Sequence, residues 1–309
     1  MAEKAVWITA SVLLLAFCRA NYAQQVADTT FAPPIAKPAY AHNAGPLVLI
    51  DEAHQNFHTV HGRYRPFADL LRRDGYVVKG LALPLSKEAL QEAKILVIAN
   101  ALSVQNSGGN WSLPTPSAFS DEEITALAHW VKAGHALFLI ADHMPFPGCT
   151  EKLAAAFGVR WNNGFVMDEK TQAGAITFKR STGTLANHPI TNGRNKNERI
   201  DSVTTFTGSA FEGTAAIQPL LVLGATHISQ MPQVAWQFTA ETPQVAVNGW
   251  PQSAALTFGK GRVVFCGEAA MFSAQLAGPN RTPMGMNAPV AVQNAQFLLN
   301  VMHWLSGLL

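Results

Sequence analysis

The fold is decided by the stretch Pro46-Leu47-Val48-Leu49-Ile50-Asp51-Glu52-Ala53-His54-Gln55-Asn56-Phe57-His58. Its four consecutive apolar residues are followed at once by acidic, amide and imidazole side chains. An uninterrupted apolar run of this length is typical of a central parallel strand that is covered on both faces. Ligands bind beyond the carboxyl ends of such strands in open α/β sheets. We therefore expect a functional site in the polar residues that follow Ile50.

Strands and helices alternate through the first half of the chain after Pro46. Further strands are expected at 76–83, 95–99 and 136–140. The segments between them are amphipathic or carry helix-start signals, such as the capping box from Ser120 to Glu123. Thr150 is expected to begin another helix. Strict strand–helix alternation implies right-handed crossovers and a parallel sheet.

The second half of the chain has a different pattern. Short apolar stretches alternate with turns over 159–244, and helical periodicity is scarce. Two strands, 254–258 and 262–266, flank a glycine-bearing hairpin turn, and a helix is expected at about 288–305. The predicted architecture is a single α/β domain over 46–309, with a mostly parallel central sheet and a β-rich elaboration in its second half.

Composition and the N-terminus limit the class of protein. The chain has 309 residues, 48% of them hydrophobic and 14% charged, with a net charge of +2, which gives no argument for nucleic acid as a partner. Residues 1–23 predict a secretory signal peptide, because Lys4 precedes a short apolar run that ends in small residues. That run is shorter than the roughly 20 residues that span a bilayer. The mature chain is thus expected to be periplasmic or secreted, without a membrane span.

Two details of the N-terminal region stay open at this stage. Cys18 suggests lipoprotein processing as an alternative to simple cleavage, although the bulky Phe17 beside it argues against that processing. Residues 24–45 are rich in Ala, Pro and Gln without an apolar period, which predicts a flexible arm. The remaining cysteines, Cys149 and Cys266, are interpreted as separate buried side chains, with a disulfide or a nucleophilic Cys149 as the alternatives.

Polar side chains follow four predicted strand ends and are expected to meet at one edge of the sheet. We predict catalytic roles for Asp142, His143 and Glu268, substrate binding by Glu52, Asn56 and Asn100, and metal binding by Asp51, His54 and His58. Carboxylates with imidazoles suit a divalent cation such as Zn²⁺ that activates water. The same residue types also suit metal-free general acid–base hydrolysis.

Structural explanations compete with these roles. Asp51 is suited to capping the loop that follows it, and His58 is suited to an exposed position before the first helix. The zinc-protease pattern His-Glu-x-x-His is absent, because no Glu follows His54. Asp142 and His143 are harder to explain structurally, since polar residues at the end of a buried strand are costly unless they are satisfied or used.

Several segments, taken in order, resemble the class I glutamine amidotransferase-like superfamily, in particular its divergent secreted and trehalose-utilisation-type branches. These segments are 47–58, 95–102, 136–143, His188-Pro189-Ile190-Thr191 and 261–272. The resemblance implies a flavodoxin-like, doubly wound sheet. The nucleophile elbow Gly-x-Cys-x-Gly of that superfamily is replaced here by Ile140-Ala141-Asp142-His143-Met144, and only Glu268 stands near the place of its His-x-Glu pair. Hydrolysis of glutamine through a cysteine is therefore not expected.

Two functions remain open from the sequence. The first is an exported hydrolase, metal-assisted or metal-free, that acts on a small polar or carbohydrate-like compound; the carbohydrate part is implied by the resemblance alone. The second is a non-catalytic exported module that binds a small ligand or a protein with the same edge of the sheet. In that case the polar loop around Trp111 is a candidate contact surface.

Overall fold

The computed structural model describes residues 25–309. The predicted signal peptide at 1–23 and Cys18 lie outside the described residues. Within 25–309, none of the helices combines the length and the apolar character needed to cross a bilayer.

The described chain contains seventeen strands and six α-helices. The strands are β1 (Gln25–Ala27), β2 (Leu47–Asp51), β3 (Val77–Leu81), β4 (Ile95–Ala99), β5 (Ala136–Ile140), β6 (Val159–Trp161), β7 (Phe165–Asp168), β8 (Ile176–Lys179), β9 (Ser202–Thr205), β10 (Phe211–Gly213), β11 (Gln218–Val222), β12 (His227–Gln230), β13 (Gln244–Ala246), β14 (Pro251–Phe258), β15 (Gly261–Cys266), β16 (Ala274–Ala277) and β17 (Thr282–Gly285). The helices are α1 (Arg65–Arg73), α2 (Lys87–Leu90), α3 (Asp121–Lys132), α4 (Phe146–Ala155), α5 (Pro189–Asn192) and α6 (Asn294–Ser306).

A seven-stranded sheet forms the centre of the fold, in the order β11-β14-β15-β5-β4-β2-β3. The five strands from β15 to β3 are parallel, whereas β14 and β11 add an antiparallel edge. The other strands form small antiparallel sheets. The predicted flavodoxin-like α/β fold with a β-rich elaboration is confirmed.

The central strands are apolar throughout because both faces of the sheet are covered. Every residue of β4 and β5 is buried. Successive side chains of a strand point to opposite faces, so Phe138 packs in one core cluster with Phe67 and Phe297, while Leu139 packs in the other with Leu153. Burial on both faces leaves the carboxyl ends of these strands as the place where polar groups reach open space.

The predicted helix start is confirmed for α3 but not for α4 or for α6, which begins at Asn294 and not at about 288. Ser120 and Glu123 form the predicted capping box at the start of α3. The prediction that Thr150 begins a helix is wrong, because α4 begins at Phe146 and the Thr150 hydroxyl donates to the Phe146 carbonyl at 3.0 Å. Pro147 lies in the first turn of α4, where the fixed φ of proline suits a helix and its missing N–H has no cost.

The N-terminal segment, which its composition predicts to be a flexible arm, contacts the rest of the domain at several positions. Residues of β1 pair antiparallel with β16, and the Ala39 N–H donates to the Asp74 carboxylate at 2.8 Å. The Tyr40 ring packs edge-on against Tyr76, with 5.1 Å between ring centroids. All three contacts are with residues that are distant in the sequence.

Candidate functional site

A cavity opens at the carboxyl ends of the parallel strands, with a free volume of about 390 Å³. Part of its wall is aromatic and part is polar. The aromatic lining consists of Phe57, Trp111, Phe146, Phe206 and Trp236, and the polar lining includes His58, Arg63, Asn100, Asp142, His143, Thr207, Glu268 and Gln275. The size and mixed lining are those of a site for a small organic ligand.

Asn100 connects the neighbouring strand ends at this cavity. It follows β4 with a left-handed backbone, φ 52°, and its side chain is buried. The Asp142 N–H donates to Asn100 Oδ1 at 2.9 Å, which identifies the other side-chain atom as the amide nitrogen. That nitrogen lies 3.3 Å from His58 Nδ1 and donates to it. Asn100 therefore sets the position of Asp142 and the tautomer of His58 together.

Asp142 and Glu268 form a pair of buried carboxyls in the cavity wall. Asp142 follows β5 and is 8% exposed, and Glu268 follows β15 and is 1% exposed. Burial raises the pKa of Asp142. Burial, followed by the charge of Asp142, raises the pKa of Glu268 well above its ordinary value. Two buried carboxyls that repel each other do not both ionise readily, so the pair holds a proton above the pH at which a free carboxyl loses it.

The two carboxyls receive different hydrogen bonds. Glu268 accepts the backbone N–H groups of Ala270 at 2.8 Å and Met271 at 2.7 Å, one on each oxygen. Asp142 Oδ1 accepts the His143 N–H at 2.8 Å. Backbone donors hold both side chains in fixed positions at the strand ends.

His143 brings a neutral imidazole beside these carboxyls. Its Nδ1 lies 2.7 Å from the Met144 carbonyl oxygen, which only accepts, so Nδ1 carries the proton and Nε2 keeps a lone pair. Burial lowers the pKa of His143. The ring stacks on Phe165 at 4.5 Å and meets the edge of Trp236 at 4.6 Å. The aromatic packing fixes the ring plane, and Nε2 is left as a base.

Of the predicted metal ligands, Asp51 and His54 contact each other, whereas His58 has its polar contact with Asn100. His54 Nδ1 lies 2.9 Å from both Asp51 carboxylate oxygens, and His54 Nε2 lies 3.0 Å from Glu123 Oε1, so both ring nitrogens are occupied. His58 is buried, contrary to the exposed position considered for it, and it contacts Asn100 and lines the cavity. Across residues 25–309, no group of three or more His, Cys, Asp or Glu side chains is arranged to hold a metal ion.

The Asp51–His54–Glu123 cluster is a structural connection between β2 and α3. Burial alone would lower the pKa of His54, but its hydrogen bonds with Asp51 and Glu123 and their charges raise it above the ordinary value. Glu123 also accepts the Leu85 N–H at 2.9 Å, while Asn56 donates to Asp51 at 3.0 Å. This network explains why so many polar residues follow β2 without all of them reaching the cavity.

Of the predicted substrate-binding residues, only Asn100 lines the cavity. Glu52 accepts the Val60 N–H at 2.7 Å, and Asn56 accepts the His54 N–H at 3.0 Å, so both organise the loop after β2. The sequence reasoning missed Arg63 and Trp236. Arg63 stands in the same polar loop as His58, just before α1, whereas no sequence pattern marks Trp236.

Trp236 lines the cavity, whereas Cys149 and Cys266 do not. Trp236 has a left-handed backbone, φ 67°, and is 49% exposed at the cavity wall. Cys149 and Cys266 are buried free thiols, and burial raises the pKa of each. Cys149 therefore lacks the thiolate character of a nucleophile.

Comparisons with known proteins address the fold. No protein-family model matches the chain, and no curated protein matches it either. A solved structure described as the mmIFT52 N-terminal domain matches with a TM-score of 0.58 and 14% identity, over 84% of this chain and 97% of that one. At this identity the likeness concerns the fold alone.

Two further solved structures match less well. A protein from Bacteroides uniformis described as ThuA-like has a TM-score of 0.45 and 12% identity, over 89% of this chain and 94% of that one. A GMP synthase protein from Thermoplasma acidophilum has a TM-score of 0.41 and 9% identity, over 84% and 93%.

Proposed function

We propose that this protein is an exported hydrolase that cleaves a small, polar, carbohydrate-like compound by metal-free acid–base catalysis. The observation that carries the proposal is the pair of buried carboxyls, Asp142 and Glu268, in the wall of a cavity of about 390 Å³. Environments that raise carboxyl pKa values are characteristic of catalytic acids. Export is the expectation from residues 1–23.

The pair supplies the two roles that hydrolysis needs. Glu268, whose pKa is raised well above its ordinary value by burial and by the charge of Asp142, is the partner that holds the proton and donates it to the leaving group. Asp142, which accepts the His143 N–H, is the ionised partner that takes a proton from the attacking water. The free Nε2 of His143 is a second acceptor for that proton. Activity is expected to follow a bell-shaped pH profile.

The aromatic wall supports a ring-shaped substrate. Phe57, Trp111 and Trp236 give the cavity broad apolar faces beside its polar groups. Such faces pack against the C–H faces of a sugar ring, while the polar groups bind its hydroxyls. The carbohydrate-like class rests on this lining and on the sequence resemblance.

Turnover of chromogenic glycosides and small esters tests the proposal. Asp142→Asn and Glu268→Gln are expected to lower kcat/KM on an accepted substrate by about 100-fold or more. Glu92→Gln, a change of an exposed carboxylate outside the cavity, is expected to leave it unchanged. Circular dichroism melts confirm that each variant folds. Retention of wild-type turnover by both cavity variants would overturn the assignment.

A binding module is the second candidate. The observation in its favour is that both Glu268 oxygens accept backbone N–H groups, an arrangement that also serves to hold the turn after β15. A binding module predicts saturable ligand binding with no turnover in the wild type. The same substrate panel, followed by calorimetry, separates the two candidates.

A further inference from the structure

Arg63 presents an uncompensated cation to the cavity. Its guanidinium lies over the Phe57 ring, with Cζ 3.8 Å from the ring centroid, and its Nε is buried without a hydrogen-bond partner. Within 25–309, no carboxylate lies within the 4.0 Å ion-pair distance of Arg63. A partly buried guanidinium is normally paired with an anion, preferably one with two oxygens. The described protein does not supply that anion.

His58 adds a second unpaired donor. The ring is 3% exposed, and its Nδ1 accepts a hydrogen from the Asn100 amide. The remaining nitrogen, Nε2, therefore carries the proton, and it is buried without a partner. Burial, followed by the charge of Arg63, lowers the pKa of His58 to about 3, so the neutral ring donates one hydrogen bond across the physiological range. An orphaned buried donor is destabilising unless a ligand satisfies it.

Gln275 supplies an unpaired acceptor elsewhere in the lining. Its side chain is 1% exposed, and its Nε2 donates to Ser273 Oγ at 2.6 Å. Gln275 Oε1 is buried without a donor. The cavity thus has two groups that suit an anionic oxygen, the Arg63 guanidinium and the His58 Nε2–H donor. It also has one acceptor that suits a hydroxyl, Gln275 Oε1.

We propose that Arg63 and His58 form a subsite for a substrate carboxylate, so that the ligand of this cavity is an acidic sugar of the uronic-acid type. Arg63 pairs with the carboxylate, His58 Nε2–H donates to one of its oxygens, and Gln275 Oε1 accepts from a ring hydroxyl. This substrate class rests on the proposed hydrolase function as far as cleavage is concerned. Binding of the acidic sugar does not depend on whether it is cleaved.

The charge balance favours a carboxylate over a phosphate. The subsite offers one cation and one neutral donor, which match a monoanion. Asn100 links His58 to Asp142, so the carboxyl pair lies one side chain away from the subsite. A dianion would be repelled by any negative charge on that pair.

Calorimetric binding to the mature protein tests the subsite. Glucuronate and galacturonate are titrated beside glucose, galactose and inorganic phosphate. We expect the uronates to bind about tenfold or more tightly than the neutral sugars, a preference that Arg63→Met removes and Arg63→Lys partly restores. Arg65→Met is the matched control, since Arg65 begins α1 with its side chain 52% exposed and is expected to keep the preference.

The outcomes distinguish this inference from the proposed function. Equal affinity for uronates and neutral sugars, a preference that survives Arg63→Met, or no uronate binding up to about 10 mM would each overturn the subsite. Tighter binding of phosphate would overturn the carboxylate assignment. Uronate binding through Arg63 without turnover of any glycoside supports the subsite and overturns only the hydrolase. Turnover of neutral glycosides without a uronate preference supports the hydrolase and overturns only the subsite.

Discussion

Replacement of His54 by alanine tests whether the Asp51–His54–Glu123 cluster stabilises the fold without taking part in ligand binding at the cavity. The variant removes the hydrogen bonds from His54 to Asp51 at 2.9 Å and to Glu123 at 3.0 Å. Breaking a buried ion pair costs about 3–5 kcal/mol, because the remaining charge is left without its partner. Asp51 keeps the Ala53 N–H and Glu123 keeps the Leu85 N–H, so we expect a loss near the lower end, about 3 kcal/mol.

The loss should depend on pH. The pKa of His54 is raised in the folded protein above its ordinary value of 6.5, so the folded state binds the proton more tightly than the unfolded state. The extra stability is fully present below about pH 6.5 and is lost as the pH rises through the folded pKa. The difference between the wild type and His54→Ala is therefore larger at pH 6 than at pH 9, as the same linkage requires.

Urea denaturation at several pH values measures both effects. The exposed His129 on α3 provides a control, and His129→Ala should change the free energy of unfolding by less than about 0.5 kcal/mol. A loss below about 1 kcal/mol for His54→Ala, or a loss that grows from acidic to alkaline pH, would refute the reasoning. Retention of uronate binding by the folded variant is also expected, because His54 does not line the cavity.

Two further predictions concern the cavity wall. The raised pKa of Glu268 means that the folded state binds more protons than the unfolded state above about pH 4.5, so wild-type stability falls as the pH rises from there towards the folded pKa. Glu268→Gln should flatten this dependence of the melting temperature on pH. Equal slopes for the wild type and the variant would contradict the burial argument. Asn100→Ala should cost about 3 kcal/mol in urea denaturation, from its lost hydrogen bonds and its left-handed φ of 52°. Asn100→Gly should cost about 1 kcal/mol less, and a larger cost for Gly would argue against backbone strain.

The backbone architecture was largely predictable because its signals are local. The apolar runs of β2, β4 and β5 predict buried parallel strands, and the Gly259-Lys260-Gly261 turn predicts the β14–β15 hairpin. The sequence also directs attention to Asn100, Asp142, His143 and Glu268, because each lies within three residues of a strand end. All four line the cavity. These predictions need only the order of residues along the chain and the rule that parallel strands share a carboxyl edge.

Only the tertiary structure decided which polar residues have a structural role and which line the cavity. His54 contacts Glu123, which is 69 residues away in the sequence, and Asn100 accepts a hydrogen bond from Asp142, which is 42 residues away. Arg63 becomes an unpaired cation, and His58 an orphaned donor, only through the packing around them. The sequence alone determined the parallel sheet and the edge that carries the site, because strand formation depends on local apolar pattern. The assignment of each side chain to cluster or cavity depends on contacts between distant segments, which no local pattern encodes.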